Sequence, residues 1–211
     1  MRASGPSIGG LILAAGESRR MGRPKALLDY GGRSFLAWGV ALLRDAQCEP
    51  IIVVEGAHPL RDLAGELGEV DWACNVDWQL GPLSSLQVGL ARALALAPTL
   101  EALFVHHVER PRVRARTLQA LRQSLGHERE CCWQPQHQGR SGHPLLLPRA
   151  IFPAIARADP QTETLRSMLR SPTWAPRRRL LAVEDPGVLD NIDSPEDLAK
   201  LPPPWQELPD G

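Results

Sequence analysis

Apolar residues along the chain fall into short dense runs, separated by longer segments in which they recur at helical spacing. Residues 8–15 form the first dense run, with the length and β-branched content of a buried strand. Residues 51–54, opened by Pro50, read as a second strand, 70–76 as a third, 103–108 as a fourth, 130–133 as a fifth and 179–183 as the last. Between them lie helical segments. One is capped by Ser34 and runs to about Ala46, carrying Leu36, Trp38, Val40, Leu42 and Leu43. A polar helix is expected near 59–67, a longer one over 83–96 stopped by Pro98, and others over 114–125, 151–157 and 163–170. Residues 26–30 lead into a turn at Gly31 and Gly32, and 143–148 is a short extended piece between prolines. Ser194, Pro195, Glu196 and Asp197 open a final helix, with serine at the N-cap, proline at the first helical position and acids in the first turn.

Strands alternating with helices predict an α/β fold of three layers, a mostly parallel sheet with helices on both faces. Ligands of such sheets bind beyond the carboxyl ends of the strands. The loops after the first, third and fourth strands are therefore expected to share one crevice. Periodicity gives the sheet without its strand order. We read 8–201 as one domain and the proline-rich 202–211 as an irregular tail.

At 211 residues the chain is long enough for one full α/β domain. Its 24 basic and 24 acidic residues balance, which argues against a general nucleic-acid or membrane-surface binder. No apolar run approaches a membrane span. The run 8–15 is short, holds two glycines and continues into Glu17-Ser18-Arg19-Arg20, so it is read as a strand and not as a signal peptide. Cys48, Cys74, Cys131 and Cys132 lack metal-ligand spacing and are expected to be buried free thiols in a reducing cytoplasm.

The unusual chemistry begins where the first strand breaks at Gly16. Ser18, Arg19, Arg20, Gly22 and a proline-preceded Lys25 follow. Small residues let backbone N–H groups approach an anion and the cations neutralise it, so this is read as a triphosphate-binding loop. Arg23 after Gly22 excludes the P-loop pattern, and the spacing of Gly16 and Gly22 excludes the dinucleotide glycine fingerprint.

The loop fits the pattern L-A-A-G-x-S-x-R-M-G-x-x-K at Leu13, Ala14, Ala15, Gly16, Ser18, Arg20, Met21, Gly22 and Lys25. It resembles the signature of nucleotidyltransferases related to the molybdenum-cofactor guanylyltransferases and cytidylyltransferases (MobA-like and MocA-like), a family with a Rossmann-like nucleotidyltransferase fold. The resemblance extends over roughly 8–201. It implies nucleotide contacts at the loop positions, with Arg20 and Lys25 as the catalytic cations. The segment from Asn75 through Asp77 and Trp78 to Ser84, Ser85 and Leu90 resembles the family's base-proximal loop, which implies base contacts at Asp77, Ser84 and Ser85. On residue chemistry alone, the two serines at a helix start are either available to a ligand or simple caps.

The resemblance also implies a Mg²⁺ (or Mn²⁺) site. The family's metal-binding aspartate after the fourth strand is replaced by Glu109, flanked by Arg110 and Arg112. Glutamate is still a hard oxygen ligand, but it reaches one methylene further, and magnesium tolerates little geometric error. Metal binding, pairing with an arginine, and no catalytic part all stay open for it. Aligned on Pro195, Asp193 takes the second metal position, and Asn191 stands where the family has an earlier aspartate. Arg140, Gly142 and His143 resemble the family's R-x-G-H-P segment on the acceptor side.

The implied reaction moves a nucleotidyl group from a nucleoside triphosphate onto a phosphorylated acceptor, with release of pyrophosphate. Ala14-Ala15-Gly16 replaces the Ala-Gly-Gly of guanylyltransferases, and a β-carbon on Ala15 leaves less room for a large base, which favours CTP. By analogy the acceptor is molybdopterin and a molybdoenzyme is the protein partner. The competing expectations are a nucleotide-binding module that has lost catalysis and serves a partner enzyme, a sugar-phosphate nucleotidyltransferase on the same fold, and a dinucleotide-dependent oxidoreductase, which the failed glycine fingerprint disfavours.

Overall fold

The computed structural model describes residues 6–63 and 67–204. In chain order the strands and α-helices are β1 (Ile8–Leu13), β2 (Asp29–Tyr30), β3 (Arg33–Ser34), α1 (Phe35–Asp45), β4 (Ile51–Glu55), β5 (Asp71–Cys74), α2 (Pro82–Leu96), β6 (Ala102–His107), α3 (Ala115–His127), β7 (Cys132–His137), β8 (Arg140–Ser141), β9 (Leu145–Pro148), α4 (Phe152–Arg157), α5 (Leu165–Leu169), β10 (Arg178–Ala182) and α6 (Pro195–Ala199). The main sheet runs β10-β7-β9-β6-β1-β4-β5, with β8 attached to β7, and β2 and β3 form a separate hairpin. Pairing is parallel across β6, β1, β4 and β5 and between β7 and β10, while β9 is antiparallel to both of its neighbours.

Alternation along β1 assigns its residues to two cores. Ile8, Ile12 and Ala14 join Leu36 and Leu43 of α1 and Leu118 and Leu121 of α3 on one face. Leu11, Leu13 and Ala15 join Leu86 and Leu90 of α2, Phe152 of α4 and Met168 of α5 on the other. Leu11 and Ile12 are fully buried, and each such side chain contributes about 1.5–3 kcal/mol of apolar burial. A strand covered on both faces has no polar positions, which is why β1 reads as a continuous apolar run.

Several expected elements shift. The proposed polar helix near 59–67 contains a 3-10 turn over Arg61–Leu63, and part of it lies outside the described residues, as do tail positions 205–211. The fifth strand lies later than 130–133 because β7 accommodates Pro135, a residue that ordinarily demotes a strand; its carbonyl accepts from the Gly142 N–H at 2.8 Å. The extended piece near 143–148 becomes β9, an interior strand whose four residues are all buried. Ser34 caps α1, accepting from the Ala37 N–H at 3.1 Å. Ser194 caps α6 in a reciprocal box with Asp197. All four cysteines are free; Cys48, Cys131 and Cys132 are buried as expected, but Cys74, at the end of an edge strand, is exposed. Burial pushes the Cys48 and Cys132 thiols up to about 12, so both are inert as nucleophiles at neutral pH. Among the described residues no helix is long and apolar enough to cross a membrane.

Candidate functional site

Two cavities open at the carboxyl ends of β1 and β6, and Leu13 lines both. The smaller, about 220 Å³, is walled by the loop after β1, including Gly16, Ser18, Arg20 and Lys25, and by Glu109 and Asp193. The loop is held open by its backbone. Ser18 and Gly22 both adopt left-handed conformations, with φ of 60° and 72°, and the Ser18 hydroxyl accepts from the Lys25 N–H at 3.1 Å. Met21 is buried beneath it as an anchor.

Asp193 is the hub of this cavity. It receives a hydrogen-bonded ion pair from Lys25 Nζ, a second from Arg20 Nη2 at 2.9 Å, and the Asn191 amide at 2.6 Å. Partial burial would raise its carboxyl, but Lys25, Asn191 and Arg20 outweigh that and hold it below the ordinary aspartate value. Glu109 faces the same cavity. Burial would raise it too, but His107, whose Nδ1 lies 3.5 Å from Oε1, and the charge of Lys25 hold the carboxyl well below the usual range. The arginines beside Glu109 have other tasks. Arg112 makes a two-point pair with Asp190 at 2.7 and 2.8 Å, and Arg110 Nη1 donates to the carbonyls of Val188 and Asp190.

Two ionised carboxylates on one cavity suit a hard divalent cation. Among the described residues no cluster of three or more His, Cys, Asp or Glu forms a full protein cage. Magnesium is typically held by one or two carboxylates with water and substrate phosphates supplying the rest, so Glu109 and Asp193 fit that donor set.

The segment that brings in Asp193 is tied down residue by residue. Asp185 is fully buried and accepts from Thr117 Oγ1 at 2.6 Å, Arg114 N at 2.9 Å and Gly187 N at 3.0 Å. The Val188 carbonyl accepts from the His143 N–H at 2.9 Å, and the Ile192 N–H donates to the Glu109 carbonyl at 3.3 Å.

The larger cavity, about 850 Å³, extends from the 80–83 segment to β8, β10 and α5. Arg140 and His143 line it. Gly142 does not open onto it: a β-carbon there would stand 2.4 Å from the Val188 carbonyl oxygen, so this glycine serves the packing of the Asp193 segment. His143 stacks edge-on against His107 with ring centroids 4.6 Å apart. Burial first, then His107 and Arg110, drives the His143 imidazole down to about 2, so it is neutral.

The loop between β5 and α2 is braced internally. Ser84 and Ser85 are buried, and both hydroxyls accept from Asn75 Nδ2 at 2.9 Å; Ser84 also donates to the Gly81 carbonyl at 2.8 Å. Neither caps α2, which starts with Gly81 at the N-cap and Pro82 at the first position. Asp77 is exposed on the same loop. The Ala15 β-carbon packs 2.9 Å from where a Gly56 β-carbon would sit, beside Trp78.

His107, Gln134 and the arginines of α5 and β10 also line the larger cavity, and sequence reasoning missed them. His107 lies two positions before the suspected metal ligand, and that adjacency was the available signal. The arginines lie in surface helix and strand segments with no motif around them.

Residues 10–179 match the family model described as the MobA-like NTP transferase domain. The chain belongs to this nucleotidyltransferase family. A nicotine blue oxidoreductase from Paenarthrobacter nicotinovorans is 28% identical over 203 residues, covering 93% of this chain and 97% of the relative. A probable molybdenum cofactor guanylyltransferase from Opitutus terrae is 36% identical over 95 residues, 45% of each chain. Rv0371c from Mycobacterium tuberculosis H37Rv superposes on this MobA-like domain with a TM-score of 0.75 at 25% identity, covering 93% of this chain and 97% of that one. The same mycobacterial protein has been solved in complex with manganese, with a TM-score of 0.72 at 25% identity over 92% and 96% of the two chains.

Proposed function

We propose that this domain transfers a nucleotidyl group, with CTP as the favoured donor, onto a phosphorylated acceptor of the molybdopterin kind. The observation that carries the reading is the convergence of Lys25 and Arg20 on Asp193 in a cavity that Glu109 shares. The cations of the loop after β1 rest on the Asp193 carboxylate. A triphosphate supplies stronger counter-charges, draws Lys25 and Arg20 onto its oxygens and releases Asp193. Mg²⁺ or Mn²⁺ held by Glu109 and Asp193 would add charge neutralisation at the phosphates.

An acceptor phosphate oxygen attacks the α-phosphorus in line. The bond between that phosphorus and the α–β bridging oxygen breaks, and pyrophosphate leaves with the electron pair. A phosphate nucleophile is already ionised, so alignment and charge stabilisation carry the rate and no strong base is required. Neutral His143 suits this role as an uncharged hydrogen-bonding group. The loop of Asp77 faces the base, with Ser84 and Ser85 supporting it from behind. The preference for CTP rests on resemblance to cytidylyltransferases, including a Thermus thermophilus 2-C-methyl-D-erythritol 4-phosphate cytidylyltransferase 36% identical over 119 residues.

A second reading, reduction of a pigment-like substrate, is favoured by the nicotine blue oxidoreductase relative. One experiment separates them. Pyrophosphate release is followed with CTP, GTP, ATP or UTP and Mg²⁺ or Mn²⁺, with and without molybdopterin, in wild type and Lys25→Ala. Parallel reactions contain nicotine blue with NADH or NADPH. Acceptor-dependent release, lost in the variant, supports transfer. Nicotinamide oxidation without release supports the redox reading. Tight nucleotide binding with neither activity points to a module that has lost catalysis.

A further inference from the structure

The chain has no net charge, yet its larger cavity gathers Arg110, Arg140, Arg166, Arg170 and Arg178 against a single carboxylate, Glu163. That carboxylate is already engaged by the Asp159 N–H at 3.0 Å. The side chains of Arg140, Arg166 and Arg170 make no hydrogen bond or ion pair with another described residue. Arg178 is aimed by Gln134, whose Oε1 accepts from Nη2 at 2.7 Å and Nε at 3.1 Å, and by Ser141 Oγ at 3.2 Å.

Arg166 on α5 and Arg170 at its C-cap stand four positions apart, a spacing that puts two like charges side by side and destabilises a helix left to itself. The helix is nevertheless fixed firmly. Thr164 and Ser167 cap each other reciprocally, and Met168 and Leu169 are buried in the core. A rigid helix that holds two unpaired guanidiniums at a cavity is built for an anion, since the planar fork of arginine matches phosphate and carboxylate oxygens in pairs. Arg110 is the nearest of the five in sequence to Glu109, and with Arg140 it comes from elements other than α5. The same wall includes apolar Val105, Leu145, Leu165 and Leu169. A volume of about 850 Å³ is on the scale of sites that hold whole organic molecules and not a lone ion.

We infer that the acceptor carries a second anionic group besides the phosphate that reacts, and that Arg166 and Arg170 bind that second group. This deepens the transfer reading and rests on it for the identity of the reacting group. Arg140 and Arg178 then face the phosphate that attacks, and the α5 segment selects acceptors by their second charge.

The test uses two probes with the same ring, phenyl phosphate with one acid group and 4-carboxyphenyl phosphate with two. Each is titrated calorimetrically into the full chain, alone and saturated with α,β-methylene-CTP and Mg²⁺. The two-acid probe is expected to bind about tenfold more tightly, the worth of one charge-assisted contact. R166A/R170A is expected to remove that tenfold and leave phenyl phosphate within about twofold, while R166K/R170K retains most of it. Equal affinities in the wild type, no binding of either probe, or a double variant that weakens both probes alike or neither, would overturn the inference. Failure of the nucleotide analogue to bind counts against the transfer reading instead, and the comparison without nucleotide then still decides the two-acid question.

Discussion

Lys25 and Asp193 stand 168 positions apart in sequence and in direct contact in the fold. The contact joins the loop after β1 to a carboxylate near the far end of the chain, and Arg20 shares it. If Lys25 leaves Asp193 for a phosphate during the reaction, its removal acts on the transition state. Lys25→Ala is expected to lower kcat by about 10²–10³ and to change the nucleotide KM only a few-fold. Steady-state pyrophosphate release is the measurement. A purely raised KM would mean that Lys25 only binds nucleotide.

The protein is expected to lose stability as pH falls below neutrality. His106 is fully buried against the α1 face, and neither ring nitrogen has a partner among the described residues. Burial first, then His107 and Arg110, lowers it to about 3, and His143 shifts the same way. The unfolded imidazole takes up a proton near pH 6.5 and the folded one does not. Stability is therefore full above about 6.5 and falls as pH drops toward 3, by about 1.4 kcal/mol per pH unit from His106 alone. Urea unfolding between pH 7.5 and 5 measures the slope. His106→Leu removes one proton from it.

The Arg112–Asp190 pair holds the Asp193 segment against the loop after β6 with both partners about 90% buried. Arg112→Ala leaves a buried carboxylate unneutralised and is expected to cost about 3–5 kcal/mol in urea unfolding. R112M/D190L, which removes both charges together, is expected to recover most of that loss. Equal losses in the single and double variants would show that the charges do not act as a pair.

Gly142→Ala is expected to destabilise by about 1–3 kcal/mol, since the added carbon meets a backbone oxygen that has no rotamer to escape into. Thermal unfolding reads the cost. The same variant displaces Val188 and with it the Asp193 segment, so Mn²⁺ affinity in the presence of nucleotide falls alongside stability.

The loop after β1 was legible as a loop because its determinants are local. Small residues and cations follow one another along a single turn from Gly16 to Lys25, where Ser18 and Gly22 take left-handed conformations. The same holds for the Ser194 cap and for β1, β4 and β6, whose two-sided burial leaves a continuous apolar run. The serines at the start of α2 were less legible. A hydroxyl near a helix start looks alike whatever partner it meets, and only the fold shows that Asn75, nine and ten positions away, donates to both. The packing of Gly142 was hidden for a related reason: what occupies the space beside a glycine is set by a distant segment, here Val188.

From local order alone, the chain specified an α/β sheet, a loop of small residues and cations at the end of its first strand and a capped terminal helix, because periodicity, turn chemistry and capping act within a few residues. Tertiary structure decided the reversal of β9, the pairing of Asp193 with Lys25, the ionised state of Glu109 beside His107 and the assembly of five arginines around one cavity. Those depend on burial and on charges brought together from remote segments, and neither quantity exists until the sheet has closed.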